Sequence, residues 1–222
     1  MSQDIKTIRL PLPFGMGTVN CYLLAAGSGY VLIDTGGSNA RRLLDEELSK
    51  AGCEAGNLKL IVVTHGDFDH TGNAAHLRQK HAAKIAMHPD DAGIVEHGDM
   101  FLGRSQGNFL IRKASTILFG FNKAQRFQPD MFVEDGDDFM EFGLDARVFE
   151  IPGHSLGSIG ILTAAGDLFC GDLLASTRQP ELNSLMDDQV AGQASVEKLK
   201  TLPVKTIYPG HGKPFTLNQI AG

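Results

Sequence analysis

The stretch that decides the fold is LKLIVVTHGDFDHTGN, residues 58–73. Its first part, Leu58–Val63, is a continuous apolar run that predicts a buried strand. The polar loop that follows holds four metal-competent side chains within six residues, namely His65, Asp67, Asp69 and His70. Ligands of α/β sheets gather beyond the carboxyl ends of strands, because loops there can bring several side chains to one point. The stretch therefore predicts a metal-binding loop at a sheet edge.

Strands and helices alternate along the chain on both sides of this loop. Before it, two apolar runs predict a hairpin, and a serine is the predicted N-cap of a helix. The predicted strands are Cys21–Leu24, Tyr30–Ile33, Leu58–Val63, Lys84–Met87, Arg147–Ile151, Ile159–Leu162, Leu168–Cys170 and Thr206–Tyr208. The predicted helices are Ser38 to about Ala51, Asn73–Gln79, one starting at HPDD (residues 88–91), and one around Ser195–Leu202. This order is typical of an α/β fold.

Three later strand ends each carry one more histidine or aspartate. His154 follows a predicted strand in PGH, Asp172 follows the next but one in GD, and His211 follows the last in PGHG. One loop cannot complete two coordination shells alone, so we expect these residues to join it. The remaining histidines lack such a context and are expected to have ordinary surface or helix roles: His76, His81, His88 and His97.

Composition predicts one globular domain over residues 1–222. The 222 residues are 42% hydrophobic and 21% charged, which is enough for a full-sized core. The formal net charge of −6 disfavours nucleic-acid binding. No signal peptide is recognisable and no apolar run approaches about 18 residues, so we expect no membrane association and a cytoplasmic location. The three cysteines, Cys21, Cys53 and Cys170, are widely separated and predict no disulfide framework.

A helical, lid-like insertion is predicted at about residues 90–128. Within it, Leu110, Ala114, Ile117 and Phe121 recur at helical spacing. Residues 98–128 are also locally basic, because Asp99 is the one acidic residue among five basic ones, Arg104, Arg112, Lys113, Lys123 and Arg126. Two interpretations stay open for these charges, solvated helix faces or a lid that attracts an anion. The apolar residues leave open either covering the site or packing in a homodimer.

In combination, the motifs THxxxDH, PGH, GD and PGHG resemble the metallo-β-lactamase superfamily. The similarity spans the chain from CYLL (residues 21–24) to YPGHG (residues 208–212). The resemblance implies a four-layer αββα sandwich of two mixed β-sheets with outer helices. It also implies a binuclear centre, with a first metal held by His65, residue 67 and His154. The second metal would be held by Asp69, His70 and His211, and Asp172 would bridge the two.

The departure from this pattern is Asp67, where the family usually has a third histidine. Aspartate is a harder, anionic donor than histidine. If Asp67 is a ligand, the metal preference of the first site shifts from zinc towards iron or manganese, although zinc also accepts carboxylates. If the shorter side chain does not reach the metal, the enzyme is mononuclear. A carboxylate at this position is also a feature of the flavodiiron relatives, so the substitution bears on the reaction class.

The leading functional hypothesis is a metal-dependent hydrolase with two divalent ions, zinc or iron/manganese. A metal-bound hydroxide would attack an ester, thioester or lactone carbonyl. Asp69 and Asp172 are the expected catalytic residues, and Asp34, Thr71 and Ser155 are candidates for orienting the histidines. Resemblance to glyoxalase II and the lactonases implies a small-molecule substrate, and the basic, Phe-rich insertion suits an anionic one with an apolar part.

Two other reaction classes are alternatives to hydrolysis. The alternative is a di-iron or mono-iron oxidoreductase, flavodiiron-like or persulfide-dioxygenase-like, which Asp67 favours. A phosphodiesterase that uses the same metals is disfavoured by the net charge of −6.

Overall fold

The computed structural model describes residues 4–104 and 123–220. The strands of the described part are β1 Ile5–Pro11, β2 Thr18–Ala26, β3 Gly29–Ile33, β4 Leu58–Val62, β5 Lys84–Met87, β6 Met131–Phe132, β7 Asp138–Phe139, β8 Leu144–Glu150, β9 Ile159–Thr163, β10 Asp167–Phe169, β11 Leu174–Ala175, β12 Glu181–Leu182 and β13 Thr206–Tyr208. The α-helices are α1 Arg41–Lys50, α2 Phe68–Thr71, α3 Ala74–His81, α4 Pro89–His97 and α5 Gln189–Lys200. Short 3₁₀ turns span Pro13–Gly15, Ser38–Ala40, Met140–Phe142 and Leu217–Gln219.

Two mixed sheets form the centre of the fold. The first has the strand order β1-β2-β3-β4-β5-β6, with antiparallel pairs from β1 to β3 and parallel pairs from β3 to β6. The second has the order β13-β10-β9-β8-β7, in which β13 and β10 pair in parallel and the other pairs are antiparallel. A separate two-stranded ribbon joins β11 and β12.

The layers follow from strands that are apolar on both faces. In β4, Leu60 and Val62 point into the core between the sheets, whereas Ile61 packs on the opposite side with residues of α1 and α3. Successive side chains of a strand point to opposite faces, so such a strand needs cover on both sides. On the far side of the second sheet, Leu199 of α5 packs against Ile207. The αββα sandwich implied by the resemblance is confirmed.

Several predicted elements differ in detail from the structure. Strand β1 was not predicted, although it is antiparallel to β2 along its whole length. The prediction of Ser38 as the N-cap was wrong, since a 3₁₀ turn starts there and α1 begins at Arg41. Asn73 holds the preceding loop in this turn, because its Nδ2 donates to the carbonyl oxygens of Thr35 and Gly37 at 2.8 and 3.0 Å.

The predicted insertion is described only in part. Its first residues form α4, whose Val95 is buried in the main core. The helical stripe Leu110, Ala114, Ile117 and Phe121 lies outside the described residues. Within the described ranges, no helix is both long and apolar enough to span a membrane.

Candidate metal centre

All seven residues singled out from the sequence lie together at one edge of the sandwich. His65, Asp67, Asp69 and His70 occupy the loop after β4 and the short helix α2. The chain reaches the same point after β8, β10 and β13, where it contributes His154, Asp172 and His211. The ring centroid of His65 lies 4.0 Å from that of His70 and 4.6 Å from that of His154. All but His211 are nearly inaccessible to solvent.

The donor atoms of six of these residues, all except Asp67, fall into two adjacent groups, each compact enough for a metal ion. The first group is His65, His154 and Asp172, and the second is Asp69, His70 and His211, with ligand atoms within 4.8 Å of one another in each. Asp172 belongs to the first group and also reaches the second, because its Oδ1 lies 3.4 Å from His70 Nε2 and its Oδ2 lies 3.2 Å from His211 Nε2. Ligand atoms about 2.1 Å from a tetrahedral zinc are separated by about 3.4 Å, so these spacings suit coordination.

Each of the four imidazoles is held by its outer nitrogen. His154 Nδ1 donates to the Leu185 carbonyl at 2.6 Å, and His211 Nδ1 donates to the Thr18 carbonyl at 2.8 Å. His70 Nδ1 lies 2.8 Å from Asp34 Oδ2.

His65 is held in the same way by a hydroxyl. Its Nδ1 lies 3.0 Å from Thr64 Oγ1, and that hydroxyl already donates to Asp34, so the ring donates to it. These contacts place a proton on each Nδ1 and direct each Nε2 inward, where its lone pair would bind a metal ion once any proton there is released.

Orphaned polar atoms show that these residues fit a divalent metal ion. His65 Nε2, His70 Nε2 and Asp172 Oδ1 are buried and have no hydrogen-bond partner among the described residues. A buried polar atom without a partner costs free energy. Imidazole and carboxylate donors together suit zinc, iron or manganese.

Gly210 permits the close approach of two of these side chains. A Cβ at this position would collide with Asp172 Oδ1 and lie 2.7 Å from His70 Cε1. The glycine of the second PGH motif is therefore required by packing at the site, and any larger residue would push His70 and Asp172 apart.

Among the ion pairs of the described residues, Asp67 is the one candidate ligand that contacts an arginine or a lysine. Its Oδ2 lies 3.0 Å from His154 Nε2 and 3.7 Å from His65 Nε2, so this oxygen faces the first group. Its Oδ1 lies 2.8 Å from Arg104 Nη1. Arg104 also lies 3.1 Å from Asp187, measured from Nε to Oδ2. The two carboxylate oxygens thus face different partners.

Charge complementarity governs the protonation of the metal-free site. Burial disfavours the imidazolium of His154, but Asp67 outweighs it and raises the pKa to about 9. Burial likewise opposes a charged His211, yet the carboxylates of Asp172 and Asp69 raise its pKa to about 10. Burial and the neighbouring imidazoles keep the pKa of His65 well below its usual value. Binding of a metal ion must therefore displace protons from His154 and His211 at neutral pH.

Besides Thr64, three supporting residues were not singled out as such from the sequence. Asp91 is buried and accepts hydrogen bonds from Gly66 N, Ser155 Oγ and Gly157 N, so it ties the loops of His65 and His154 together. Arg104 and Asp187 are the other two. In the sequence Asp91 belongs to a predicted helix start and Arg104 to a basic segment, and no spacing signal marks either residue as part of the site.

Of the three residues expected to orient the histidines, Asp34 does so. Ser155 instead bonds Asp91 and Ser158, and Thr71 Oγ1 donates to the backbone of Asp67. The four remaining histidines lie outside both groups of donors. His88, for example, caps α4 by accepting from Asp90 N at 3.2 Å.

Comparisons with known proteins agree with this architecture. The sequence profile of the metallo-beta-lactamase superfamily matches residues 14–211. Hydroxyacylglutathione hydrolase GloC of Haemophilus influenzae is 30% identical over 207 residues, which cover 90% of this chain and 88% of that protein. The probable metallo-hydrolase YqjP of Bacillus subtilis is 24% identical, with 97% of this chain and 73% of that protein covered.

Solved structures give the same answer. The structure of TTHA1623 in a di-iron-bound form superposes with a TM-score of 0.71 at 27% sequence identity, covering 94% of this chain and 95% of that one. The profile match extends over most of the chain and includes every candidate ligand. The chain therefore belongs to the metallo-beta-lactamase superfamily and is an enzyme of that superfamily.

Proposed function

We propose that this enzyme is a metal-dependent hydrolase that cleaves an ester, thioester or lactone carbonyl of a small molecule. The observation that carries the proposal is the convergence of four inward-facing Nε2 atoms with three carboxylates at one edge of the sandwich. In this proposal His65, Asp67 and His154 hold one divalent ion, and Asp69, His70 and His211 hold a second. Asp172 bridges them in this proposal, which is supported by its place in the group of His65 and His154 and by its short distances to His70 and His211.

The bound ions would supply a nucleophilic water of lowered pKa and would polarise the carbonyl. The chain's own residues orient the reaction. Asp69 and Asp172 are proposed to accept hydrogen bonds from the attacking water and to hold its direction. A cysteine nucleophile is disfavoured, because all three thiols are buried and burial raises the pKa of Cys53 to about 11 and that of Cys170 to about 12.

A cleft of about 340 Å³ opens over the candidate ligands. Its apolar wall suits the acyl or alkyl part of a substrate, and it is formed by Leu12, Met16, Phe68, Met100 and Leu185. A larger cavity of about 530 Å³ lies near the amino-terminal ends of β4 and β5, lined in part by Gly56 and Ala82. That end of the sheet carries none of the candidate ligands, so the smaller cleft is the proposed substrate site.

A basic cavity of about 430 Å³ adjoins the cleft and shares Met16 and His211 with it. Its cations are Arg9, Arg178 and Lys213, and none has a carboxylate within 4.0 Å in the described part of the chain. This arrangement supports a substrate that carries an anionic group on the His211 side and an apolar group on the other. We therefore propose that the cations of this cavity attract the anion. The sequence also suggested the basic insertion for this role, but residues 105–122 of the insertion lie outside the described ranges.

Replacement of Arg178 tests the anionic subsite. We expect Arg178→Ala to raise KM for a carboxylate-bearing ester about fivefold, since an exposed ion pair contributes roughly 1 kcal/mol or less. KM for a matched neutral ester should stay unchanged, and the difference should shrink in high salt. Arg147→Ala, on the exposed side of β8, serves as the control. Equal effects on both esters would rule out recognition of the anion.

Metal analysis with activity assays tests the proposed reaction. Protein purified without added metal should contain zinc, iron or manganese and hydrolyse activated esters or thioesters. Chelation should abolish turnover, and adding the metal back should restore it. Loss of metal with no loss of hydrolysis would contradict the proposal. Faster turnover of bis(p-nitrophenyl) phosphate than of the activated esters would favour a phosphodiesterase instead.

A second candidate is an iron oxidoreductase, flavodiiron-like or persulfide-dioxygenase-like. The observation that favours it is Asp67 Oδ2, a hard oxygen donor that faces His65 and His154. A di-iron form is also known for the similar protein TTHA1623. Two irons per chain, together with oxygen consumption and no esterase activity, would replace hydrolysis by this function.

A further inference from the structure

Arg104 brings a buried positive charge to the edge of the candidate metal centre. It lies in the turn after α4, and its side chain is only 10% exposed. Its guanidinium lies between Asp67 and Asp187, at 2.8 and 3.1 Å. A guanidinium this close to a metal position would repel a divalent cation unless a nearby anion compensated its charge.

The negative charge of Asp67 balances the positive charge of Arg104. A neutral histidine ligand contributes no charge to a metal site, and Asp67 with Arg104 contributes none in sum. Asp187, the second partner of Arg104, has a side chain that is 25% exposed, so water screens its charge more than that of Asp67. The pairing does not use up the carboxylate, because Oδ1 faces the guanidinium and Oδ2 faces His65 and His154. One oxygen therefore remains directed at the first group of donors.

We propose that Arg104 is a positioning residue of the first metal site, and that Asp67 and Arg104 act together as the equivalent of one neutral histidine ligand. The guanidinium holds Oδ1 so that Oδ2 faces the metal position, and it cancels the carboxylate charge. The inference rests on the proposed metal centre and deepens it, because it makes the metal affinity of the first site depend on a residue that is not a ligand.

A set of four proteins tests the pair: the native chain, Asp67→His, Arg104→Gln and the double variant. Asp67→His alone leaves Arg104 without its nearer carboxylate, beside the metal position. Its first-site affinity for zinc should therefore fall at least tenfold. Adding Arg104→Gln removes the guanidinium, whose remaining partner Asp187 is the more exposed carboxylate, and should restore the affinity to within threefold of the native value. Isothermal titration calorimetry of the metal-free proteins with Zn²⁺ measures this affinity.

Stability of the metal-free proteins is the second measurement. In the native background Arg104→Gln should lower the urea midpoint, because the buried Asp67 loses its partner. In the Asp67→His background the same substitution should raise the midpoint, because it removes a buried cation that has lost its buried partner, while Asp187 is exposed enough to be hydrated without it. A change in midpoint with no change in zinc affinity would assign the pair a purely structural role and overturn the proposal. Independent, additive effects of the two substitutions would also overturn it.

Two further variants keep the test decisive. Arg104→Lys retains the charge, so in the Asp67→His background it should leave zinc affinity low, whereas recovery there would overturn the charge argument. Arg147→Gln is the control for loss of an exposed arginine and should change neither measurement.

The second site distinguishes this inference from the proposed function. It is built on Asp69, His70 and His211, and no ion pair of the described residues joins Arg104 to them. All four proteins should therefore retain one tightly bound zinc. Failure of the native chain to bind any zinc, iron or manganese would sink the metal centre and this inference together. If the native chain binds two zinc ions but the double variant does not recover first-site zinc affinity, the role of Arg104 is overturned and the metal centre is not.

Discussion

Alanine at residue 70 or 172 is expected to reduce hydrolysis to the background rate and to lower the metal content of the purified protein. His70 is fully buried, and its Nε2 is one of the orphaned atoms that a metal ion would satisfy. Asp172 approaches both groups of donors, so its loss weakens two sites at once. Elemental analysis and initial rates on an activated ester measure the two effects.

The controls separate loss of metal from loss of fold. His97→Ala and Asp145→Ala remove an exposed histidine and an exposed aspartate, and both should keep native activity and metal content. All four variants should unfold cooperatively in urea with native circular dichroism, because the removed side chains leave the three apolar core clusters intact. Full activity in His70→Ala or Asp172→Ala would refute the assignment of these residues as ligands.

Removal of the Asp34 carboxylate should have the largest effect on stability. Asp34 is buried, and its oxygens accept from Thr64 N at 2.9 Å, from Thr64 Oγ1 at 2.8 Å and from His70 Nδ1 at 2.8 Å. We expect Asp34→Ala to lower the free energy of unfolding by roughly 3 kcal/mol, because three buried donors lose their acceptor. Metal affinity should fall about 10- to 100-fold, since His70 loses the group that orients it.

Backbone conformation adds to this effect and provides the control. Asp34 has φ of 58°, in the left-handed region that aspartate and asparagine tolerate better than alanine. Asp34→Asn keeps this tolerance and one acceptor oxygen, but it turns an amide donor either towards both Thr64 Oγ1 and His70 Nδ1 or towards Thr64 N. Its loss of stability should therefore be smaller than that of Asp34→Ala. Urea titrations and zinc titrations measure both, and native values in Asp34→Ala would contradict the role assigned to Asp34.

Much of the fold was predictable because the signals are local. Apolar runs such as Leu58–Val63 and Ile159–Leu162 predicted strands that are buried on both faces. Strand β1 was missed, because IKTIRLP (residues 5–11) alternates apolar and polar residues only weakly and owes its place to pairing with β2. The start of α1 was misplaced for a similar reason, since Asn73, distant in sequence, holds the loop before it.

The sequence by itself determined which side chains are candidate ligands. Histidine and aspartate directly after buried strands can be read from residue types and spacing alone, and the topology of an α/β sandwich then brings such strand ends to one edge. His65, His154, Asp172 and His211 were found in this way. Asp67 was also recognised as a departure, but whether its charge is compensated could not be read from the sequence.

Only the tertiary structure decided how these ligands are held and balanced. Arg104 neutralises Asp67, and Asp91 joins the loops of His65 and His154, through contacts 37 and 64 residues apart in the chain for Arg104–Asp67 and Asp91–Ser155. Buried charges must find partners when they leave water, and those partners are chosen by proximity in the folded chain rather than by spacing along it. For this reason the residues of the candidate site could be predicted from the sequence, whereas its electrostatics could be determined only from the folded structure.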